Sequence, residues 1–266
     1  MQTLLRPQQP RKEVRRLTDY SLLTLKKRLD QLLVDKGLAT TIKEAQGYIR
    51  AGQVFVDDVC SDKPGTTHQE LSAFSIKGLQ RFVSRGGLKL EKALEHFGCD
   101  VHDFVCVDIG ASTGGFTDCL LQNGAKHVYA VDVAYGQFAW KLRQDAKVTV
   151  IERFNARNLS RQEIINPVDL IVIDASFISL TKILPPLLSL FDTKKKVLAL
   201  IKPQFELAKD LVGNGGVVRD AQLHEQVIQK IADFAVSALG LKVQGVVASP
   251  ILGPKGNKEF VIYLTD

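Results

Sequence analysis

The spacing of apolar positions changes character twice along the chain. Over Lys27-Arg-Leu-Asp-Gln-Leu-Leu-Val-Asp-Lys-Gly37, Leu29, Leu32 and Leu33 fall on one helical face, and the closing glycine suits a C-cap. Thr40 and Thr41 then offer N-caps for a second helix over 42–51, with Glu44 completing a capping box from Thr41. Gly52 stops that helix, and 53–57 alternates as a strand. This helix, helix, strand grouping predicts a small α+β domain and linker over 26–83. A further helix over 85–97 has Leu88, Leu90, Ala93, Leu94 and Phe97 as its apolar side. From there short, wholly apolar runs alternate with helical stretches: strands at 105–109, 128–132, 148–151, 170–174, 197–202, 243–249 and 259–264, with a helix over 221–239. Runs apolar on both faces predict an α/β domain over 84–266 whose sheet is mostly parallel and covered on both sides. Only residues 250–258 join the last two runs, too few for a crossover helix. They therefore predict a terminal antiparallel hairpin, closing the sheet with an antiparallel edge strand.

Charge divides along the same boundary. The net charge is +6, and residues 1–92 hold 17 Lys or Arg against 10 Asp or Glu, while the rest holds 18 against 19. A basic module beside a near-neutral one predicts that the first grips a polyanion and the second does chemistry. Residues 1–25, with Arg6, Arg11, Lys12, Arg15 and Arg16, read as a flexible basic arm. Cys60, Cys99, Cys106 and Cys119 lack C-x-x-C spacing, which points away from a zinc site or a disulfide framework and towards a reducing cytoplasm, with no metal. No apolar run reaches the roughly 18 residues of a bilayer span, so a soluble cytoplasmic protein without membrane partners is expected.

The chemistry concentrates at strand ends. Val105-Cys-Val-Asp-Ile109 runs into Gly-Ala-Ser-Thr-Gly-Gly-Phe116, an apolar strand ending in an acid and then a glycine-rich turn, where a backbone must approach a ligand closely. Val128-Tyr-Ala-Val-Asp132 repeats the strand-then-carboxylate pattern where ribose hydroxyls would be met. A nucleoside cofactor suits both. The glycines at 110, 114 and 115 miss the G-x-G-x-x-G spacing, and Asp108 would repel a pyrophosphate. That disfavours a nicotinamide dinucleotide and favours S-adenosylmethionine, whose aminoacyl end carries an ammonium. Gly110, Ala111, Ser112, Thr113, Gly114, Gly115 and Phe116 are then placed around the methionyl part with Asp108, Asp132 at the ribose, and Asn155 near the adenine. In an open sheet of this kind ligands lie beyond the carboxyl ends of the strands, which adds Asp174 and Lys202 to the candidates.

Two resemblances sharpen this. Arg28-Leu-Asp30 and Gly52-Gln-Val-Phe-Val56 resemble the S4 RNA-binding domain over about 26–77. That implies an RNA-facing surface with Lys27, Arg28, Lys43 and Arg50, to which Arg81 and Arg85 are added, reading duplex shape and backbone. Ser84-Arg-Gly-Gly-Leu-Lys-Leu90, Asp108-Ile-Gly-Ala-Ser-Thr-Gly-Gly-Phe116, Ile173-Asp-Ala-Ser-Phe-Ile-Ser179, Ile201-Lys-Pro-Gln-Phe-Glu206 and Lys258-Glu259 together resemble the TlyA family, ribosomal-RNA 2′-O-methyltransferases of the FtsJ-like class, known in some bacteria as haemolysins. The resemblance implies a Rossmann-like methyltransferase sheet, S-adenosylmethionine as cofactor, and ribosomal RNA within ribosomal subunits as partner. It also implies cytidine as target and a Lys-Asp-Lys-Glu tetrad at Lys89, Asp174, Lys202 and Glu259. A ribose hydroxyl is a poor nucleophile near neutral pH, so Lys202 is assigned either as base or as cation for the developing alkoxide, with Lys89 supplying positive potential and the carboxylates orienting the amines. Two alternatives stand beside this reading: an inactive RNA-binding assembly factor, and a membrane-acting haemolysin.

Overall fold

A computed structural model of the chain describes residues 26–78, 81–213 and 215–266; the basic arm read into residues 1–25 lies outside them. The chain divides into two compact units, with the division at Leu79 and Gln80. Phe82 is fully buried in the core of the second.

The first unit contains β1 (Lys26–Arg28), α1 (Leu29–Asp35), α2 (Ile42–Arg50), β2 (Val54–Val56), β3 (Val59–Cys60), β4 (Thr67–Gln69) and β5 (Phe74–Ile76). Strand β2 is flanked by β3 and β5, and β1 pairs with β4. The first helix starts later than the apolar spacing predicts, because Lys27 and Arg28 belong to β1. Arg28 is extended, and its guanidinium grips Asp30 through Nε–Oδ1 (3.0 Å) and Nη2–Oδ2 (2.6 Å), while Gln46 donates to the same carboxylate. That guanidinium holds the buried Asp30 carboxyl below the usual range. The Arg-Leu-Asp signature is thus partly a folding device: Leu29 enters the core with Leu33, Ala45, Ile49, Val54 and Val56 while its neighbours clamp the helix start. At α2, Thr41 Oγ1 accepts from the Glu44 amide as expected, but the Glu44 carboxylate reaches one residue further back, to the Thr40 amide (2.7 Å) and hydroxyl (2.6 Å).

The second unit runs α3 (Gly86–Phe97), β6 (Val105–Ile109), α4 (Gly115–Gln122), β7 (His127–Val131), α5 (Trp140–Arg143), β8 (Val148–Ile151), β9 (Leu170–Ile173), α6 (Leu180–Leu187), β10 (Lys196–Ile201), α7 (Pro203–Glu206), α8 (Ala221–Leu239), β11 (Lys242–Ala248) and β12 (Phe260–Thr265). Its seven strands lie in the order β11-β12-β10-β9-β6-β7-β8. The pairs linking β10, β9, β6, β7 and β8 are parallel, and β12 is antiparallel to both neighbours. The terminal hairpin is present, but its reversed strand is not at the edge: β12 inserts between β10 and β11, which leaves β11 outermost. An all-apolar face on each side of β12, with Val261 on one and Ile262 and Leu264 on the other, makes it an interior strand.

Alternation within each strand fills two cores. Val105, Val107 and Ile109 face the layer of α6 and α8, together with Leu184, Val227 and Ile231. Cys106 faces the layer of α3 and α4, against Leu90, Leu94 and Leu120. At about 1.5–3 kcal/mol for each large side chain removed from water, these layers fix the positions of the strand ends. The sheet's order reverses at β6, which lies between β7 and β9, so the crevice beyond β6 and β9 is where a ligand is expected.

Candidate active site

Four charged side chains from distant parts of the sequence meet at that crevice. Asp174 follows β9, Lys202 follows β10 and caps α7, Lys89 lies on α3, and Glu259 immediately precedes β12. Lys202 Nζ is 2.6 Å from Asp174 Oδ1, 2.8 Å from Ser176 Oγ and 3.3 Å from the Asp174 carbonyl oxygen. The Oδ1 contact is an ion pair, and this oxygen has no hydrogen-bond donor. Lys89 Nζ donates to Glu259 Oε2 at 2.6 Å and stands 3.7 Å from Asp174 Oδ2. Asp174 therefore bridges the two amines, and Lys89, Lys202 and Glu259 are all buried. Two buried ammoniums sharing two carboxylates balance in charge, which is the condition for keeping them out of water.

Two contiguous cavities open beside this cluster. One, about 470 Å³, is lined by Ser84, Arg85, Lys89, Asp108, Gly110 to Thr113 and Asp174. The other, about 430 Å³, is lined by Asp132, Val133, Phe154, Asn155, Ala156, Phe177 and Ile183, and shares Gly110, Ser112 and Asp174 with the first. Gly110 is required between them. Its φ is +82°, and a Cβ there would lie 2.8 Å from the Asp174 carbonyl oxygen. Gly114 lines neither cavity; a Cβ would strike Leu142 and Phe138, so its place in the run is one of packing. Phe116 lines the first cavity and also enters the α3–α4 core.

Asp108 sits inside β6 rather than in the turn, fully buried, with Oδ2 accepting from the Thr117 hydroxyl at 2.7 Å and Oδ1 unpartnered. Burial pushes its carboxyl up to about 7. This corrects the expectation of a fixed repelling charge at that position, because desolvation disfavours the ionised form. Asp132 takes the Ser112 amide (2.7 Å) and the Ala134 amide (2.7 Å) on its two oxygens, and each keeps a lone pair. Asn155 caps a short 3₁₀ turn by accepting from the Arg157 amide, and it lines the second cavity.

Of the basic residues expected to face RNA, Lys27 pairs with Asp35 and Glu70, and Arg28 with Asp30. Lys43 and Arg50 are exposed, seven residues apart and hence on one side of α2. Arg81 pairs with Glu91, whereas Arg85 is exposed at the first cavity.

Three residues at the site escaped sequence reasoning although they lie in the quoted motifs. Ser176 touches Lys202. Glu206, buried at the end of α7, accepts from the Ser179 hydroxyl (2.6 Å) and the Leu180 amide (2.7 Å), tying the loop after Asp174 to the segment after Lys202. Phe177 is 90% exposed at φ +62°, with its ring 4.9 Å from that of Phe205. A phenylalanine held in a left-handed conformation and presented to solvent is a strained placement of the kind found at binding sites.

Comparison with known proteins gives the family. Residues 82–265 match the FtsJ-like methyltransferase family, and residues 27–69 match the S4 domain. The 16S/23S rRNA (cytidine-2′-O)-methyltransferase TlyA of Mycobacterium tuberculosis is 45% identical over 239 residues, covering 89% of both chains. Hemolysin A of Brachyspira hyodysenteriae is 40% identical over 237 residues, covering 89% of this chain and 98% of its own. A solved structure of a haemolysin-named protein from Streptococcus thermophilus has 44% identity and a TM-score of 0.69, covering 91% of this chain and 88% of the other. Among the described residues no helix is long and apolar enough to cross a membrane. A mostly parallel sheet reversed only at β12, a glycine-lined crevice at its switch point and matches spanning both units lead to one assignment: the chain belongs to the FtsJ-like methyltransferase family, with an S4 domain preceding the methyltransferase domain.

Proposed function

We propose that this protein methylates the 2′-hydroxyl of a ribose in ribosomal RNA, with S-adenosylmethionine as donor, cytidine as the target nucleoside and ribosomal subunits as the physical substrate. The observation that carries the proposal is the buried Lys89–Asp174–Lys202–Glu259 cluster, of which Lys89 and Asp174 line the paired cavities. The similarity to the M. tuberculosis enzyme supports the choice of reaction and nucleoside.

The cavities fit the donor chemically. The unpartnered, buried Asp108 Oδ1 is an acceptor in want of a cation and suits an ammonium; the spare lone pairs of Asp132 suit a ribose diol; and Phe154, Ala156 and Ile183 give the second cavity the apolar walls an adenine needs. Gly110 and Ser112 would follow the ligand's edge with their backbone. When bound, S-adenosylmethionine supplies an electrophilic sulfonium methyl group.

The chain's own residues prepare the nucleophile. Lys202 Nζ donates to Ser176 Oγ and to the Asp174 carbonyl oxygen and lies in ion-pair contact with the Asp174 carboxylate, a setting that suits an ammonium. As an ammonium, Lys202 stabilises oxygen anion character while the 2′-oxygen bonds to the methyl carbon, the sulfur–methyl bond breaks and the hydroxyl proton passes to solvent, and Asp174 fixes the direction of the amine. Lys89, held by Glu259, adds positive potential at close range. Phe177 and Phe205 present a ring face to the base of the target nucleotide, which has to leave its stack for the ribose to reach the cluster.

The test is methyl transfer from radiolabelled donor to ribosomal subunits from a strain lacking the enzyme. Wild-type protein should label RNA as 2′-O-methylcytidine, and Lys202→Ala should lower kcat by about 10²–10³-fold while leaving donor affinity within twofold. Failure of either subunit, and of naked RNA, to accept label from a donor-binding enzyme would overturn the proposal.

A further inference from the structure

A second aromatic surface lies outside the cavities. Tyr135, 65% exposed, stands in the loop leading from β7 to α5, and Trp140, 72% exposed, opens α5; both line a cleft of about 390 Å³ with Phe138, Arg143 and Glu152. Two side chains this large and this exposed leave apolar area in water that a soluble surface usually hides. The loop carrying Tyr135 is well fastened. Ala134 donates to Asp132, Gly136 donates to the Glu152 carboxylate at 2.8 Å, and the amides of Arg153 and Phe154 donate to the carbonyls of Ala134 and Asp132.

Cations alternate with the rings. The Arg153 guanidinium lies 4.0 Å from the Tyr135 ring centroid, and its backbone adopts φ +56°. Arg143 sits 5.9 Å from the Phe138 centroid while paired to Glu152 at 2.8 Å. Lys141, beside Trp140, is 62% exposed and pairs with Asp118. Glu152 and Arg143 thus neutralise each other, as do Asp118 and Lys141, and of the three cations Arg153 is the one without an ion pair among the described residues. Flat π faces interleaved with guanidinium and ammonium groups match a chain of bases strung on phosphates, because each base offers a face to stack and each phosphate a charge to meet. The same loop also supplies Asp132, Val133 and Gln137 to the cavity assigned above to the adenosine part of the donor, so the cleft and the donor site share one loop.

We infer that the Tyr135–Trp140 cleft is an RNA-stacking site, taking an unpaired stretch of the substrate RNA next to the target nucleotide. This rests on the RNA-methylating reading above and adds to it a contact surface in the methyltransferase unit. Stacking here would hold the RNA strand beside the nucleotide being modified, so that its ribose is presented without help from base pairing.

Trp140 is the only tryptophan in the chain, so its emission reports on the cleft directly. Full-length protein, without methyl donor, is titrated with a mixed-sequence single-stranded oligoribonucleotide, and binding is followed separately by the anisotropy of a label on the RNA. The expected result is quenching of the indole emission in parallel with the anisotropy, with affinity about 10-fold weaker in Trp140→Ala and Tyr135→Ala and retained in Trp140→Phe. Donor affinity should stay within twofold in every variant, as the cleft is outside the donor cavities. If RNA binds while the emission stays constant and the alanine variants bind as wild type does, the inference is overturned and the proposed reaction stands. Equal quenching by inorganic polyphosphate would also overturn it, since charge alone would then explain the signal. Failure of any RNA to bind the full chain would overturn the inference and the proposed reaction together.

Discussion

Asp108 and the Lys89–Glu259 pair show how much a single burial decides. An aspartate in the unfolded chain titrates near 3.8, whereas in the fold burial raises Asp108 to about 7. Between those pH values the folded chain keeps a proton that the unfolded chain has released. Raising the pH through this window therefore destabilises the fold, by an amount of the order of several kcal/mol once pH 8 is reached, and below about pH 4 the difference vanishes. Asp108→Asn should flatten the fall in Tm between pH 5 and pH 8 that the wild type shows in thermal scans. An ammonium-bearing donor would favour the ionised carboxylate, so donor affinity should rise with pH up to about 7, a trend that titration calorimetry reads and that Asp108→Asn should abolish. The second pair has a different signature. Glu259→Ala leaves the buried Lys89 without its 2.6 Å partner and should cost about 3–5 kcal/mol in chemical denaturation. Lys89→Met combined with Glu259→Leu should recover most of that stability and none of the methyl transfer.

At the level of elements, the site depends on where strands stop. The amide of Gly110 donates to Val131 and that of Asp174 to Ile109, so the ends of β6, β7 and β9 are locked in mutual register and their polar residues emerge at one depth. The positive φ of Gly110 turns the chain sharply out of β6 and lets the Asp174 backbone approach it. Gly110→Ala should lower stability by about 2 kcal/mol or more and weaken donor binding, the first read from denaturant midpoints and the second from calorimetry; unchanged donor binding would remove the turn from the ligand site. Some elements were legible in advance because one period governed them: α2, α3 and α8 follow the 3.6-residue spacing, and β6, β7, β9 and β10 are continuous apolar runs. Others were not. Strands β1, β3, β4 and β5 are two or three residues long, too short for any period to register. Helix α6 holds Pro185 and Pro186 in its last turns, residues that read as breakers yet are tolerated there because the preceding turn is capped by Ser179 and packed through Leu180, Ile183 and Leu184.

For the molecule as a whole, the concentration of positive charge in residues 1–92 should appear as salt dependence. RNA affinity should fall steeply between low and physiological salt, and Lys43→Glu with Arg50→Glu should reduce the slope of log affinity against log salt by about one for each phosphate left without its cation, measured by filter binding. A slope unaffected by both changes would move the phosphate-binding surface elsewhere on the protein. The sequence by itself determined the two-domain α+β and α/β plan, the terminal hairpin and the residue types at the strand ends, because periodicity, glycine placement and chain length between runs are local properties. It also carried the four members of the charged cluster, Asp174 and Lys202 already as polar residues at strand ends, Lys89 and Glu259 only through motif resemblance; no local rule distinguishes a buried Lys89 from an exposed helical lysine. Tertiary structure decided the rest: that β12 inserts between β10 and β11, that Asp108 is desolvated and unpartnered, that Asp174 bridges two amines far from it in sequence, and that Tyr135 and Trp140 stay in water. Each depends on which distant segments share a space, and burial, ion pairing and exposure are properties of that shared space rather than of the chain's order.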